Sequence, residues 1–262
     1  MSKSLQQYSP WSVSKASLAA QCSKAFDFRY VKKEKGLPSG TESKIGTAAH
    51  RVQELVIQGI EVRTAIAQAL AEDSSLVFSE IEAVRAFESA YVNFKNKLDA
   101  FKRVHPIKEI HTELKLAIDI NFKPCDYESP ECLMRGNIDV LIITESNQAI
   151  VIDHKTGKRK PIIKHKVQLD TYLLFALAHF PEVLGLQAAI HSLAYNNELD
   201  WATTRSAEYV TSVLQPWLLQ YLTQQATGVE TIQAKITPLC GWCNYRNNCA
   251  EWLAHAETKQ KH

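Results

Sequence analysis

Apolar residues recur at helical spacing through the first hundred positions. In "SVSKASLAAQCSKAFDFRYV" small polar residues lead into such a run, which predicts a helix over residues 14–30. The charged stretch "KKEKGLPSGTESK", with its Gly and Pro, interrupts the pattern. A second helix is expected from near Thr47 through "AAHRVQELVIQG" to Gly59, and a third over 61–72. A longer one is expected over about 79–103, with Ile81, Val84, Phe87, Tyr91, Phe94 and Leu98 along its apolar stripe.

The period then shortens. "IKEIHTELKLAIDI" alternates like a half-buried strand, and "CLMRGNIDVLIITES" and "QAIVIDHKT" read as two more, joined by a tight turn. "HKVQLDTYLLFALAHF" returns to helical spacing, "LQAAIHSLAYN" predicts a fourth strand, and residues 204–226 predict a helix before a Cys-rich tail. Helices, three strands, helix, strand, helix: the order predicts an α/β domain with a mainly helical wrapping.

With 262 residues, 45% of them hydrophobic, and only 9 Gly and 9 Pro, the chain has ordinary globular composition and the length of one large domain. A net charge of +2 points to no partner, so any basic surface is local. The opening "MSKSLQQYSPW" has no apolar signal core, and "TYLLFALAHF" is too short to cross a bilayer. A soluble, cytoplasmic protein is expected, in which six cysteines are not a disulfide framework.

Candidate chemistry gathers at the second and third strands. If residues 133–145 and 148–155 form a hairpin, Asp139 at the start of one apolar run lies beside Asp153 and Lys155 at the end of the other. Residues two apart on a strand share a face, so Asp153 and Lys155 point the same way. Two carboxylates together suit a hard cation such as Mg²⁺ or Mn²⁺, and a lysine beside them suits an attacking water or a charged phosphate. The same residues also suit ordinary strand-end charges, with Lys155 pairing one carboxylate.

"RGNIDVL", "VIDHKTGK" and "QLDTYLLFA" resemble, in order and spacing, the motifs of the PD-(D/E)XK nuclease superfamily, and in particular its RecB-like branch. The resemblance spans about residues 11–250. It implies a restriction-endonuclease-like core, a central mixed sheet flanked by helices, within one domain over 1–262: a core at about 45–200, and wrapping segments at 11–35 and 204–255. It implies metal ligation by His50 of "GTAAH", Asp139, Asp153 and the main-chain carbonyl of His154. Lys155 would act on the attacking water, Gln168 and Tyr172 would brace the site or hold DNA from one helix face, and Glu113 on the first strand would stand near the metal. Glu54, one turn after His50, reads as a solvated or supporting charge.

Lys158, Arg159, Lys160 and Lys164 follow the active-site strand, and a polyanion entering the cleft needs cations along its path. They are expected to bind DNA; no base-reading motif accompanies them.

"CGWCNYRNNC" places Cys240, Cys243 and Cys249 in C-x2-C-x5-C spacing, which argues for a soft metal centre that lacks a fourth ligand within the tail. The segment around Cys22 resembles the N-terminal helix of iron–sulfur RecB-like nucleases, a group that includes the AddB nuclease domain and the nucleases of CRISPR spacer acquisition. The resemblance implies a 4Fe–4S cluster on Cys22, Cys240, Cys243 and Cys249 that joins the two ends of the chain; Zn²⁺ on the same ligands is the rival. Cys125 and Cys132 fall outside this pattern and are expected to be free thiols.

The expected function is a metal-dependent DNA nuclease, an exonuclease on single-stranded or frayed ends, in repair, recombination, phage DNA processing or CRISPR adaptation. The alternative is a DNA-end-binding assembly factor within a larger complex. No G-x-x-x-x-G-K-[ST] motif is present, so a helicase or other DNA-processing partner would be a separate chain, and a homo-oligomer stays open.

Overall fold

The structure, a computed structural model, describes residues 3–38, 40–195 and 198–260. The N-terminal third is helical: α1 (Lys3–Gln7), α2 (Val13–Gln21), α3 (Ser23–Phe26), α4 (Thr41–Ile57), α5 (Val62–Glu72), α6 (Phe78–Arg85) and α7 (Glu88–Val104). Three strands follow, β1 (Ile107–Asp119), β2 (Cys132–Thr144) and β3 (Gln148–Lys155), then α8 (Lys166–His179) and β4 (Gly185–Ser192). Short β5 (Leu199–Trp201) and β6 (Arg205–Ser206) precede α9 (Ala207–Tyr209), α10 (Gln215–Gly228) and α11 (Ala250–Gln260).

The sheet is mixed, as expected for this fold class. Its order is β1-β2-β3-β4-β5, with β6 also paired to β4. The first three strands form an antiparallel meander, while β4 runs parallel to β3 after the α8 crossover. Alternation sorts the side chains into two layers. Leu141, Ile143, Ala149 and Val151 pack towards α8 in the large core, and Val140, Ile142, Ile150 and Ile152 pack towards Phe94 and Leu98 of α7. A third cluster joins α4, α5, α6 and the start of α7 around Val52, Ile66, Val84 and Tyr91. Gly136 on β2 lets α8 approach closely, since a Cβ there would stand 2.9 Å from the Phe175 ring. That approach brings the first turns of α8 to the end of β3.

Several expected elements differ. The helix predicted over 14–30 breaks at Cys22, which is extended (φ −163°, ψ 111°) and gives its N–H to Leu18 to close α2; a π turn at Asp27–Val31 ends the segment. The helix expected from Thr47 starts at Thr41, and Gly59 at φ +95° terminates it. The stripe over 79–103 is two helices with a turn at Ala86 and Phe87. Val84 and Tyr91 then face the α4–α5 cluster while Phe94 and Leu98 reach the sheet. The fourth strand ends at Ser192; Asn196, the last residue of its predicted span, lies outside the described residues. The tail adds α11, which the Cys-rich spacing did not suggest.

The ends of the chain meet. Ser23 Oγ donates to Thr231 O at 2.8 Å, Lys24 pairs with Glu251 at 2.5 Å, and the Phe28 and Tyr245 rings lie 5.5 Å apart. Among the described residues, no helix is long and apolar enough to cross a membrane.

Candidate active site

Strand register places three carboxylates in one row. The β1–β2 ladder pairs Thr112 with Val140 and Leu114 with Ile138, so Glu113 stands opposite Asp139. The last pair of the β2–β3 ladder is Val140–Ile152, and the next step sets Asp139 opposite Asp153. Regular backbone breaks in this row. Glu113 sits at φ +48°, rare for a non-glycine residue. Ile138 packs on the α8 side while Val140 packs on the α7 side, so β2 rolls over at Asp139.

Asp139 Oδ2 accepts the His154 N–H at 2.7 Å, which ties the strands where their ladder stops. His50, on α4, faces the row: its Nδ1 lies 3.5 Å from Asp139 and 3.6 Å from Glu113, and its Nε2 is 3.1 Å from the His154 carbonyl oxygen. That carbonyl, expected to face a metal, accepts the His50 ring N–H. Burial works against charge on His50, but hydrogen bonds and charge from Asp139 and Glu113 win and raise its pKa to about 10. Without a divalent ion the ring is therefore an imidazolium that balances the carboxylates.

Asp153 is almost fully buried. Its Oδ1 accepts from Gln168 Nε2 at 2.7 Å, and the same amide nitrogen donates to the Tyr172 hydroxyl at 2.9 Å. Gln168 and Tyr172 are one turn apart on α8, the spacing that puts both on one helix face. Lys155 Nζ stands 2.6 Å from Asp153 Oδ2 as an ion pair without directed hydrogen-bond geometry. Burial and the neighbouring Asp139 raise the Asp153 pKa, and Lys155 opposes them. Burial, and then Asp153, also raise the Tyr172 pKa, so its hydroxyl stays protonated.

His50, Glu113 and Asp139 present ligand atoms all within 4.8 Å of one another, the set that could hold a cation. Asp153 adjoins this set but is engaged by Gln168 and Lys155. One imidazole and two carboxylates suit Mg²⁺ or Mn²⁺, and Asp153 Oδ2, with Lys155 Nζ at 2.6 Å, adjoins them. A recess of about 470 Å³ opens over His50 and Glu113, walled by Ser43, Gly46, Thr47, Arg51 and Glu54 of α4. Glu54 is not simply solvated: it accepts from Arg51 at 2.7 Å.

Three contributors escaped sequence reasoning. Asn137 donates a short hydrogen bond to Glu113 from inside the "RGNID" stretch. Gln53 and His191 sit behind His154, and nothing in their local sequence distinguishes them.

The basic loop divides. Arg159 is exposed but paired within the chain: Asp200 binds its guanidinium and Glu198 lies 3.0 Å away. Lys158, Lys160 and Lys164 are exposed, with no side-chain partner among the described residues.

Cys22, Cys240, Cys243 and Cys249 line one cavity of about 350 Å³ between the chain ends. Main-chain N–H groups of Thr237 and Tyr245 point at the sulfurs of Cys240 and Cys243, each at 3.4 Å. No three of the sulfurs lie within 4.8 Å of one another. A tetrahedral zinc with Zn–S of about 2.3 Å would need sulfurs about 3.8 Å apart. Cys125 and Cys132 are free thiols, Cys132 buried, and neither lines this cavity.

A model of the PD-(D/E)XK nuclease superfamily matches residues 10–250. No curated protein matches the chain. Among solved structures, a protein described as a candidate exonuclease from Eubacterium rectale is similar at a TM-score of 0.54 and 8% identity, over 95% of this chain and 91% of its own; at that identity the likeness concerns the fold. SSO0001 matches at a TM-score of 0.36 and 15% identity over 82% of this chain and 88% of its own. VC1899 from Vibrio cholerae matches at 0.27 and 9% over 86% and 58%.

Proposed function

Since the chain belongs to the PD-(D/E)XK nuclease superfamily, we propose that it hydrolyses DNA phosphodiesters with Mg²⁺ or Mn²⁺, as an exonuclease on single-stranded or frayed ends. The observation that carries this reading is the row Glu113–Asp139–Asp153, with His50 above it and Lys155 at its end. His50, Glu113, Asp139 and Asp153 would hold the cation, which when bound supplies Lewis-acid stabilisation of phosphoryl oxygens and a more acidic water.

The chain's own groups have separable tasks. Asp139 and Glu113 take the negative side of the site, and His50 gives up its proton when an ion replaces it. Lys155, whose ammonium stands against the row, orients the attacking water and stabilises charge growing on the phosphate. Gln168 fixes the Asp153 carboxylate, and Tyr172 fixes Gln168. Lys158, Lys160 and Lys164 hold the strand by its phosphates.

Residues 1–262 form a single nuclease domain in this reading, of the RecB-like, iron–sulfur branch. A 4Fe–4S cluster on Cys22, Cys240, Cys243 and Cys249 would clamp the segments around 11–35 and 204–255. In support, all four thiols line one cavity.

The decisive experiment is digestion of end-labelled single- and double-stranded DNA with Mg²⁺, Mn²⁺ or EDTA. Release of short products from ends, stopped by EDTA, is expected. Intact DNA under every metal condition would sink the nuclease reading.

A further inference from the structure

Three buried polar side chains meet behind the site, and no step above uses them. Gln53 lies on α4 three residues after His50, His154 on β3 and His191 on β4, with exposures of 1%, 2% and 0%. His154 and His191 are register partners, and their Nδ1 atoms stand 2.9 Å apart. Gln53 Nε2 is 3.4 Å from the same His191 nitrogen. An amide nitrogen only donates, so His191 Nδ1 accepts both contacts and His154 carries its proton on Nδ1. The His191 ring stacks on Phe94 of α7, centroids 4.7 Å apart, which fixes its plane.

Both polar groups of His154's main chain are committed to the site, the N–H to Asp139 and the carbonyl to His50. Its side chain projects to the opposite face of β3 from Asp153 and Lys155. A tilt of that residue would therefore move an imidazole and a carboxylate of the site together. Elsewhere on this face the strands carry Val140, Ile142, Ile150 and Ile152. Burying polar groups is costly, and apolar packing would serve stability at least as well. The polar chain stands only at the level of the carboxylate row.

We infer that His191 and Gln53 are positioning residues of the metal site, which act through His154 to fix the Asp139 carboxylate and the His50 imidazole. The inference rests on the reading of His50 and Asp139 as metal ligands. Its test is Mn²⁺ binding by the full chain, followed by electron paramagnetic resonance and calorimetry. His191→Phe keeps a ring against Phe94 but removes the acceptor, and His191→Asn restores an acceptor near the Nδ1 position. His191→Phe and Gln53→Leu should weaken Mn²⁺ binding about tenfold or more, the usual effect of removing an outer support of a ligand. His191→Asn should recover most of the loss, and circular dichroism should show all three folded.

Should His191→Phe fail to fold, Gln53→Leu decides, because it breaks the chain from its far end. Folded His191→Phe and Gln53→Leu proteins with wild-type Mn²⁺ affinity would reduce the network to packing and overturn the inference. Wild-type protein that binds Mn²⁺ but leaves DNA intact would overturn the nuclease reading alone, and the Mn²⁺ titrations would still decide this one. Wild-type protein that binds no Mn²⁺ would overturn both.

Discussion

Asp139, one position past Val140, accepts at 2.7 Å the main-chain N–H of His154, two positions past Ile152; Val140 and Ile152 are the last paired residues of β2 and β3. A side chain thus takes over the work of the ladder where the two strands part, and the same carboxylate turns its other oxygen to His50 at 3.5 Å. The split between strands is what makes room for chemistry: a continued ladder would leave Asp139 and Asp153 as neighbours without a cleft.

Asp153→Ala should therefore stop cleavage while leaving DNA affinity close to wild type, because binding rests on the lysines of the next loop. A loss of more than about a hundredfold is expected, above the range for outer supports of a ligand. Cleavage and filter binding on the same preparations give the comparison. Wild-type turnover in Asp153→Ala would move the site elsewhere.

Gln168 and Tyr172 form a graded pair. Gln168→Leu removes the donor to Asp153 and should lower kcat/KM by about 10–100-fold. Tyr172→Phe removes only the hydroxyl that accepts from Gln168, so its effect should be several times smaller. The reverse order would make Tyr172 a direct contact of the substrate rather than a brace.

Without divalent metal, stability should peak near pH 6.5. His50 has a folded-state pKa raised to about 10, so its contribution is complete below the unfolded value of 6.5 and is lost as pH rises through 10. His191 is held down to about 3 by burial and then Lys97, so its contribution is complete above 6.5 and is lost as pH falls through 3. Burial lowers His154 in the same sense, and the raised Asp153 partly offsets both on the acid side. Each unmatched proton gives a slope of about 1.4 kcal/mol per pH unit. Urea midpoints from pH 4 to 10 test this: His50→Ala should flatten the alkaline limb and His191→Asn the acid limb.

Much of this was readable from the chain because it depends on short-range pattern. Alternation in "RGNIDVLIIT" and "QAIVIDHK" predicted the hairpin, and the hairpin alone brought Asp139 to Asp153. What stayed hidden depends on backbone conformation or distant partners. The positive φ of Glu113 has no local sequence mark, and Gln53 meets His191 across 138 positions. The turn at Ala86 and Phe87 was invisible because an apolar stripe records which residues are buried, not against what. Arg159 looked like its basic neighbours until β5 brought Asp200 beside it.

That difference within the basic loop is testable. Neutralising Lys158, Lys160 and Lys164 together should lower the salt slope of single-strand binding by up to about 2, at about 0.7 per lost phosphate contact. Arg159→Ala should leave the slope nearly unchanged and loosen the loop from β5 instead. Equal slopes for the wild type and the triple variant would place the strand's path elsewhere.

The proposed 4Fe–4S cluster and its zinc rival differ in metal content. Four thiols line one cavity of about 350 Å³. Protein purified without oxygen should therefore be brown and contain about four irons per chain, as a 4Fe–4S group requires. Cys22→Ser should bleach it and lower the thermal midpoint, because Cys22 is the proposed ligand from the N-terminal segment. Cys125→Ser and Cys132→Ser should do neither, since neither thiol lines the cavity. Colourless protein with one zinc per chain would mean that the tail closes further around a single ion. Brown Cys22→Ser protein with undiminished iron would remove residue 22 from the ligand set and leave the fourth ligand to be found elsewhere.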